Sequence, residues 1–276
     1  MAFLFYILIF VFGLCFGSFL NVLIARLPKE QGIGGWSRCP HCRHRLVWRD
    51  LIPLVSFFIL RGRCRYCCQH ISWQYPLVEL ATGILFIVAA GSVFILPLSV
   101  FALINLVYRL LITACLIVVF VSDLRYFIIP DEIIVFWATT AFFYRLFEIW
   151  RLKIKDLLAI GHWPEGVFNH LGVYLLVALA AAAFFLLIVI VTKGRGMGLG
   201  DVKFAFLMGL ILGWPKILAA LFLAFLSGAI VGLGLVLVGK AKMKSAIPFG
   251  VFLSFSAFVI MLFGDGLINW WLGLFW

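Results

Sequence analysis

The chain has 276 residues, 66% of them hydrophobic and 12% charged, with a formal net charge of +11. Its mean hydropathy is +1.20, and a water-soluble core of this length cannot hide that much apolar surface. The composition excludes a soluble globular protein and, because alternating strands do not give long unbroken apolar runs, a β-barrel; it leaves an all-α polytopic membrane protein.

The first apolar run covers 2–24. It starts without a basic flank and without a small-residue cleavage site, so it reads as a retained span and not as a removable signal. Residues 26–76 follow, the only stretch with the composition of a small water-facing module. It carries Cys39-Pro-His-Cys42 and Cys64-Arg-Tyr-Cys67. Each C-x-x-C pair presents two thiolates from one turn, and two such turns complete a tetrahedral site; Cys39, Cys42, Cys64 and Cys67 are the expected ligands of a structural Zn2+. The ion would supply folding energy that a short loop with few apolar residues lacks. Disulfides or redox dithiols are the alternative, which a reducing cytoplasm disfavours. Cys68 competes with Cys67 as a ligand, His41, His44 and His70 read as solvated, and Cys15 and Cys115 read as small packing residues inside spans.

Seven further apolar runs lie near 77–97, 99–121, 132–150, 170–192, 202–214, 217–238 and 247–263, which makes about eight transmembrane helices in all. The run at 202–214 is short and must tilt or pack against protein. The expected organisation is a first transmembrane helix at 1–25, a cytoplasmic four-cysteine zinc module at 26–76 and a membrane core at 77–276. Lys and Arg are retained on the cytoplasmic side. Placing the module inside and alternating from there puts sixteen Lys and Arg inside and six elsewhere (Arg109, Arg145, Arg151, Lys153, Lys155 and Lys216), with both termini outside. The positive charge therefore reports topology and anionic lipid headgroups, and no nucleic-acid partner is expected. Arg109 is expected to snorkel or pair with a carboxylate, and Trp270, Trp271 and Trp276 to form an interfacial belt.

The chain holds eleven acids, and a carboxylate at membrane depth is a functional candidate by default. Glu148, Asp156, Glu165 and Asp265 fall toward the outer face, and Glu30 and Asp50 in the basic module; all six read as solvated. Asp201 follows Gly198-Leu199-Gly200. Its structural role would be to cap a helix beginning at Val202, but two glycines also let a backbone or a bound peptide come close to the carboxylate. Asp123 ends the third run, beside Arg125. Asp131 and Glu132 follow Pro130, where a first turn favours acids. Glu79, in Tyr75-Pro-Leu-Val-Glu79, is placed to pair with an arginine of the module or to anchor it.

The topology brings Asp123 and Asp201 to the same face on different spans. Two carboxylates sharing one proton can divide the work of a peptidase, one activating water and the other protonating the leaving amine. No G-x-S-x-G or H-E-x-x-H sequence offers another route. A proton-coupled transporter would instead place its acids at mid-depth, and a noncatalytic assembly scaffold would tolerate Asn at both positions.

Several segments together resemble one family: Gly17-Ser-Phe-Leu-Asn21-Val with Arg26-Leu-Pro28, the two C-x-x-C pairs, Tyr75-Pro-Leu-Val-Glu79, Asp123 with Asp131, Gly198 to Asp201, and Ile247-Pro-Phe-Gly250. Over nearly its whole length the chain resembles the bacterial type IV prepilin leader peptidase and N-methyltransferase family, intramembrane aspartyl proteases of the GxGD type. The resemblance implies a multi-pass protein of the bacterial inner membrane, with Asp123 and Asp201 as the catalytic pair and Asp131 outside that pair. Gly198, Gly200, Asp131, Glu79 and Lys203 are then candidates for substrate binding or support. The implied substrates are type IV prepilins and type II secretion pseudopilins, cleaved after a glycine on the cytoplasmic side. The new N-terminus is then methylated from S-adenosylmethionine, an activity associated with the first cytoplasmic loop. Val251 departs from the family, which often has proline there; this is expected to alter the start of a helix and not the chemistry.

Overall fold

The computed structural model describes residues 2–91, 99–158, 167–194, 196–240 and 247–272. Expectations that fall on Glu165, Arg195, Lys242, Lys244 and Trp276 lie outside the described residues, as do the side chains of 152–170 and of Trp271. The described residues are helical apart from turns and two isolated bridges, with no strand among them. Among the described residues, seven helices are long and apolar enough to cross a membrane, so the chain is a multi-pass membrane protein. Chain packing divides it into two compact units, Met1–Val118 and Val119–Trp276.

In the first unit α1 (Ala2–Arg26) and α3 (Gln74–Gly91) flank a short helix, α2 (Val55–Ile59). Helices of similar hydrophobicity gain nothing from burial against each other in lipid, and small residues that let backbones approach take over. Gly13 and Gly17 form such a seam: a Cβ on Gly13 would sit 2.7 Å from Gly83 Cα, and one on Gly17 2.8 Å from Glu79 Cα. Beside the seam, the rings of Phe12 and Phe16 pack on Phe86 at centroid distances of 6.1 and 5.8 Å. Arg26 ends α1 and donates to the carbonyls of Ile33 at 2.8 Å and Gly34 at 2.7 Å, which orders the chain leaving the helix. α4 (Val100–Tyr126) begins in this unit and ends in the second. In it Arg109 donates to Asn105 at 3.0 Å, one turn back.

The second unit contains α5 (Asp131–Leu158), α6 (Val167–Val191), α7 (Leu199–Leu212), α8 (Lys216–Leu237) and α9 (Phe249–Leu272). The expected short run at 202–214 is α7. Its 14 residues rise about 21 Å, less than the ~30 Å hydrocarbon thickness, and it packs against α5, α6 and α9. Phe204, Ala205, Leu207 and Met208 are fully buried within it. Gly209 lies directly against Ala178 of α6, with no room for a side chain. At the far end of α7, Arg145 of α5 donates to the carbonyls of Leu210 and Ile211 and pairs with Glu148; its guanidinium lies 3.9 Å from the Tyr174 ring. A cation at the carbonyl end of a helix satisfies both its charge and its orphan acceptors. Gly213 closes α7 at φ 67°, a left-handed conformation beside the Tyr174 ring. Phe185, Phe225 and Phe249 join α6, α8 and α9 in one aromatic cluster, Phe225 and Phe249 at 5.0 Å.

Candidate functional site

Asp123 and Asp201 both belong to the second unit and are both buried, 6% and 8% exposed. Each is held by the amino end of a helix. The first turn of a helix leaves backbone N–H groups without intrahelical acceptors, and a carboxylate there is favoured by hydrogen bonding and by the helix dipole. Pro248 stops any helical continuation before Phe249, and Asp123, arriving from the end of α4, takes up the freed donors: it accepts the amide of Val251 at 3.2 Å and that of Gly250. Gly250 makes the approach possible, since a Cβ there would lie 2.8 Å from Asp123 Oδ2.

Asp201 lies in the first turn of α7. That helix starts at Leu199, three residues before the expected Val202, so Gly198 is its cap and Asp201 lies inside the helix. Its carboxylate reaches back to accept the Gly198 amide at 3.2 Å. This is half of the reciprocal capping arrangement at helix starts. Gly198 is exposed and extended, and Gly200 packs its Cα against Ile129, 3.4 Å from where a Cβ would stand. Ile129 also touches Gly250, at 3.1 Å from its would-be Cβ. One aliphatic side chain thus fills the space between the two glycines that adjoin the acids. The two carboxylates interact electrostatically.

Of the other candidates, Asp131 begins α5 as expected and forms an ion pair with Lys203, Nζ to Oδ2 2.7 Å. The pair joins the start of α5 to α7 just past its first turn and is largely exposed. Glu79 belongs to the first unit. It pairs with no module arginine; it accepts the amide of Leu54 at 2.9 Å and a hydrogen bond from Ser18, which ties the chain just before α2 to α1 and α3. The sequence reading missed the amides of Gly250 and Val251 as partners of Asp123. Pro248 was the available signal, because proline marks a helix start and so a set of free donors.

The four cysteines form the second centre. The sulfurs of Cys39, Cys42, Cys64 and Cys67 lie within 4.8 Å of one another, with Cys39 and Cys67 at 3.9 Å; tetrahedral Zn–S bonds of about 2.3 Å place sulfurs about 3.8 Å apart. The two halves repeat each other. The Cys39 amide donates to His44 O at 3.0 Å and the Cys64 amide to Gln69 O at 2.9 Å; Arg38 bridges to Arg45 and Arg63 to His70. In each half the residue after the second cysteine, Arg43 or Cys68, turns the chain in the left-handed region, at φ 59° and 58°. Cys68 is therefore a turn residue, exposed and outside the cluster. His44 stacks on Tyr66 at 3.7 Å, Arg45 lies 3.0 Å from the Trp36 ring centroid, and Asp50 holds Arg65 at 2.7 Å. Burial pushes the Cys64 thiol up, but the amides of Cys67 and Tyr66 and the neighbouring sulfurs outweigh it and lower the thiol to about 7. The donor set fits a metal ion that prefers thiolate.

Comparison with known proteins gives a family to this geometry. Residues 110–233 match the type IV leader peptidase family and residues 11–93 the bacterial peptidase A24 N-terminal domain. A protein of Bacillus subtilis (strain 168) named prepilin leader peptidase/N-methyltransferase is 32% identical over 266 residues, 96% of this chain and 97% of the relative. The chain belongs to the type IV leader peptidase family. Relatives in this family that carry the same name include one from Aeromonas hydrophila, 31% identical over 98% of this chain and 94% of its own, and one from Legionella pneumophila, 30% identical over 97% and 94%. No solved structure matches the chain significantly. The N-terminal domain match, 11–93, falls on α1 and α3 with the four cysteines; the leader peptidase match, 110–233, contains Asp123, Asp131 and Asp201.

Proposed function

We propose that this chain is an aspartyl peptidase that removes the leader of type IV prepilins and type II secretion pseudopilins at the cytoplasmic face of the membrane, and then methylates the new N-terminus. The observation that carries the reading is the pair of buried carboxylates, Asp123 and Asp201, each at the amino end of a helix in one unit of a leader peptidase family member.

One carboxylate, ionised, takes a proton from water as the oxygen attacks the scissile carbonyl. The other, protonated, donates to the carbonyl oxygen; the first then passes the proton it took from water to the departing amine, and the second recovers its own as the carbonyl re-forms. The amides that hold each acid fix its direction before substrate arrives, so little reorganisation is needed in the transition state. Exposed Gly198 leaves room for an extended backbone beside Asp201. The Asp131–Lys203 pair keeps the amino ends of α5 and α7 together. In the first unit Cys39, Cys42, Cys64 and Cys67 hold Zn2+ as a closed structural site, with no position left for chemistry. For the second reaction, S-adenosylmethionine supplies an activated methyl group when bound.

The experiment is leader cleavage of a prepilin in membranes by the unaltered chain and by Asp123→Asn and Asp201→Asn. Each single variant loses cleavage by about 10³-fold or more while remaining folded, because Asn keeps the hydrogen-bonding shape and cannot exchange the proton. Retained cleavage in both variants would overturn the assignment of the two acids and return the choice to another catalytic group or a scaffold.

A further inference from the structure

The first unit contains a buried acid that peptide cleavage does not use. Glu79 is 8% exposed and Asn21 2% exposed, and helical spacing brings both to one place. On α3, Tyr75 and Glu79 are one turn apart; on α1, Ser18 and Asn21 are three residues apart, so each pair shares a face. Two hydrogen bonds join these faces: Asn21 Nδ2 donates to Tyr75 O at 3.0 Å, and the Ser18 side chain bonds Glu79. The glycine seam brings the backbones together at this level, with Gly17 against Glu79 Cα.

The cluster has more acceptors than donors. Asn21 Nδ2 is committed to Tyr75 O, which leaves Asn21 Oδ1 buried with no hydrogen-bond partner. Glu79 has two oxygens, and Leu54 and Ser18 give it one donor each, fewer than a carboxylate can accept. A tether for Leu54 needs one acceptor and no Asn21 at all. A buried acceptor without a donor is costly to retain, and an acid and an amide oxygen together suit a compact cation with several N–H groups. A sulfonium has no hydrogen to give; a primary ammonium has three.

We propose that Glu79 and Asn21 bind a primary α-ammonium group, presented either by the newly exposed N-terminus of the processed substrate or by the amino-acid end of the methyl donor. The inference rests on the methyl-transfer part of the proposed function. Glu79 accepts the ammonium on the carboxylate lone pairs left by Leu54 and Ser18, and Asn21 Oδ1 accepts a second N–H. The group is thereby held at a fixed place at the inner end of the α1–α3 seam.

The test uses the full chain in lipid nanodiscs and a synthetic peptide that begins with phenylalanine and continues with apolar residues, free or N-acetylated at its amino end. The unaltered chain should bind the free-amine peptide about tenfold or more tightly than the acetylated one, the size expected of a charge-assisted hydrogen bond. Glu79→Gln, which keeps an oxygen for Leu54, and Asn21→Ala should each abolish that preference, with bound metal and thermal unfolding reporting on the fold. If the variants keep the peptide preference but bind S-adenosylhomocysteine about tenfold more weakly, the ammonium held is the donor's. Neither change in either variant overturns the pocket and leaves Glu79 as a tether. Methyl transfer by the unaltered chain is measured separately. Its absence with the amine preference intact counts against the methyl-transfer reading, and a chain that transfers methyl groups with neither a peptide amine preference nor weaker S-adenosylhomocysteine binding in the two variants counts against the pocket.

Discussion

Gly250 matters for what it lacks. Its amide faces Asp123 and its Cα leaves the carboxylate room; an added methyl would stand 2.8 Å from Oδ2 and 3.1 Å from Ile129 Cδ1. Gly250→Ala must therefore push the acid aside, and an error of about 1 Å at a reacting group costs roughly 100-fold. The expected outcome is a folded protein whose leader cleavage falls by that order, read as kcat at saturating prepilin. At this scale the acids were legible in the sequence, because a carboxylate inside an apolar run is expensive and few are present. Their partners were not. Val251 was expected to affect only how a helix starts, yet its amide donates to Asp123 at 3.2 Å, a bond that proline could not make. Backbone donors have no sequence signature of their own; only Pro248 hinted that some would be free.

The four-cysteine module can be judged as an element. The cluster of four cysteines was legible because C-x-x-C turns are local, and the structure brings the four sulfurs together across the two turns. The choice between Cys67 and Cys68 was open in the sequence and is decided by the backbone, since the second half repeats the first and puts Cys68 where Arg43 stands. The expected stoichiometry is one zinc per chain, measured on the purified protein. Removing the ion with a chelator, or Cys64→Ser, should expose residues 27–73 to proteolysis while the helices stay intact, because a metal held by the four cysteines would be the main source of order in a segment with few buried apolar side chains. Unchanged resistance after the metal is lost would argue that aromatic and ion-pair contacts suffice. The helices were less legible at their ends than in their number: α7 starts at Leu199, three residues before its apolar run, since Gly and Asp interrupt hydrophobicity without interrupting a helix.

For the whole molecule, the eight apolar runs correspond to seven helices of spanning length and to α7, whose brevity follows from being enclosed by protein on several sides. Orientation rests on where lysine and arginine fall along the chain. A membrane-impermeant thiol reagent tests it. In a chain with Cys15 and Cys115 replaced by serine, exposed Cys68 should be labelled only after the cells are opened; labelling of intact cells would invert the topology.

The glycine seam between α1 and α3 bears on the module in one more way. It fixes the two ends of the segment between Arg26 and Gln74 beside each other, whether or not a metal is bound. Closing a free loop of that length costs on the order of 3 kcal/mol in chain entropy, and the paired helices have already met that cost. The four thiols consequently search for one another at a raised effective concentration. The same segment cut out as a peptide should therefore bind zinc on the order of 100-fold more weakly than it does as a loop strung between two membrane helices.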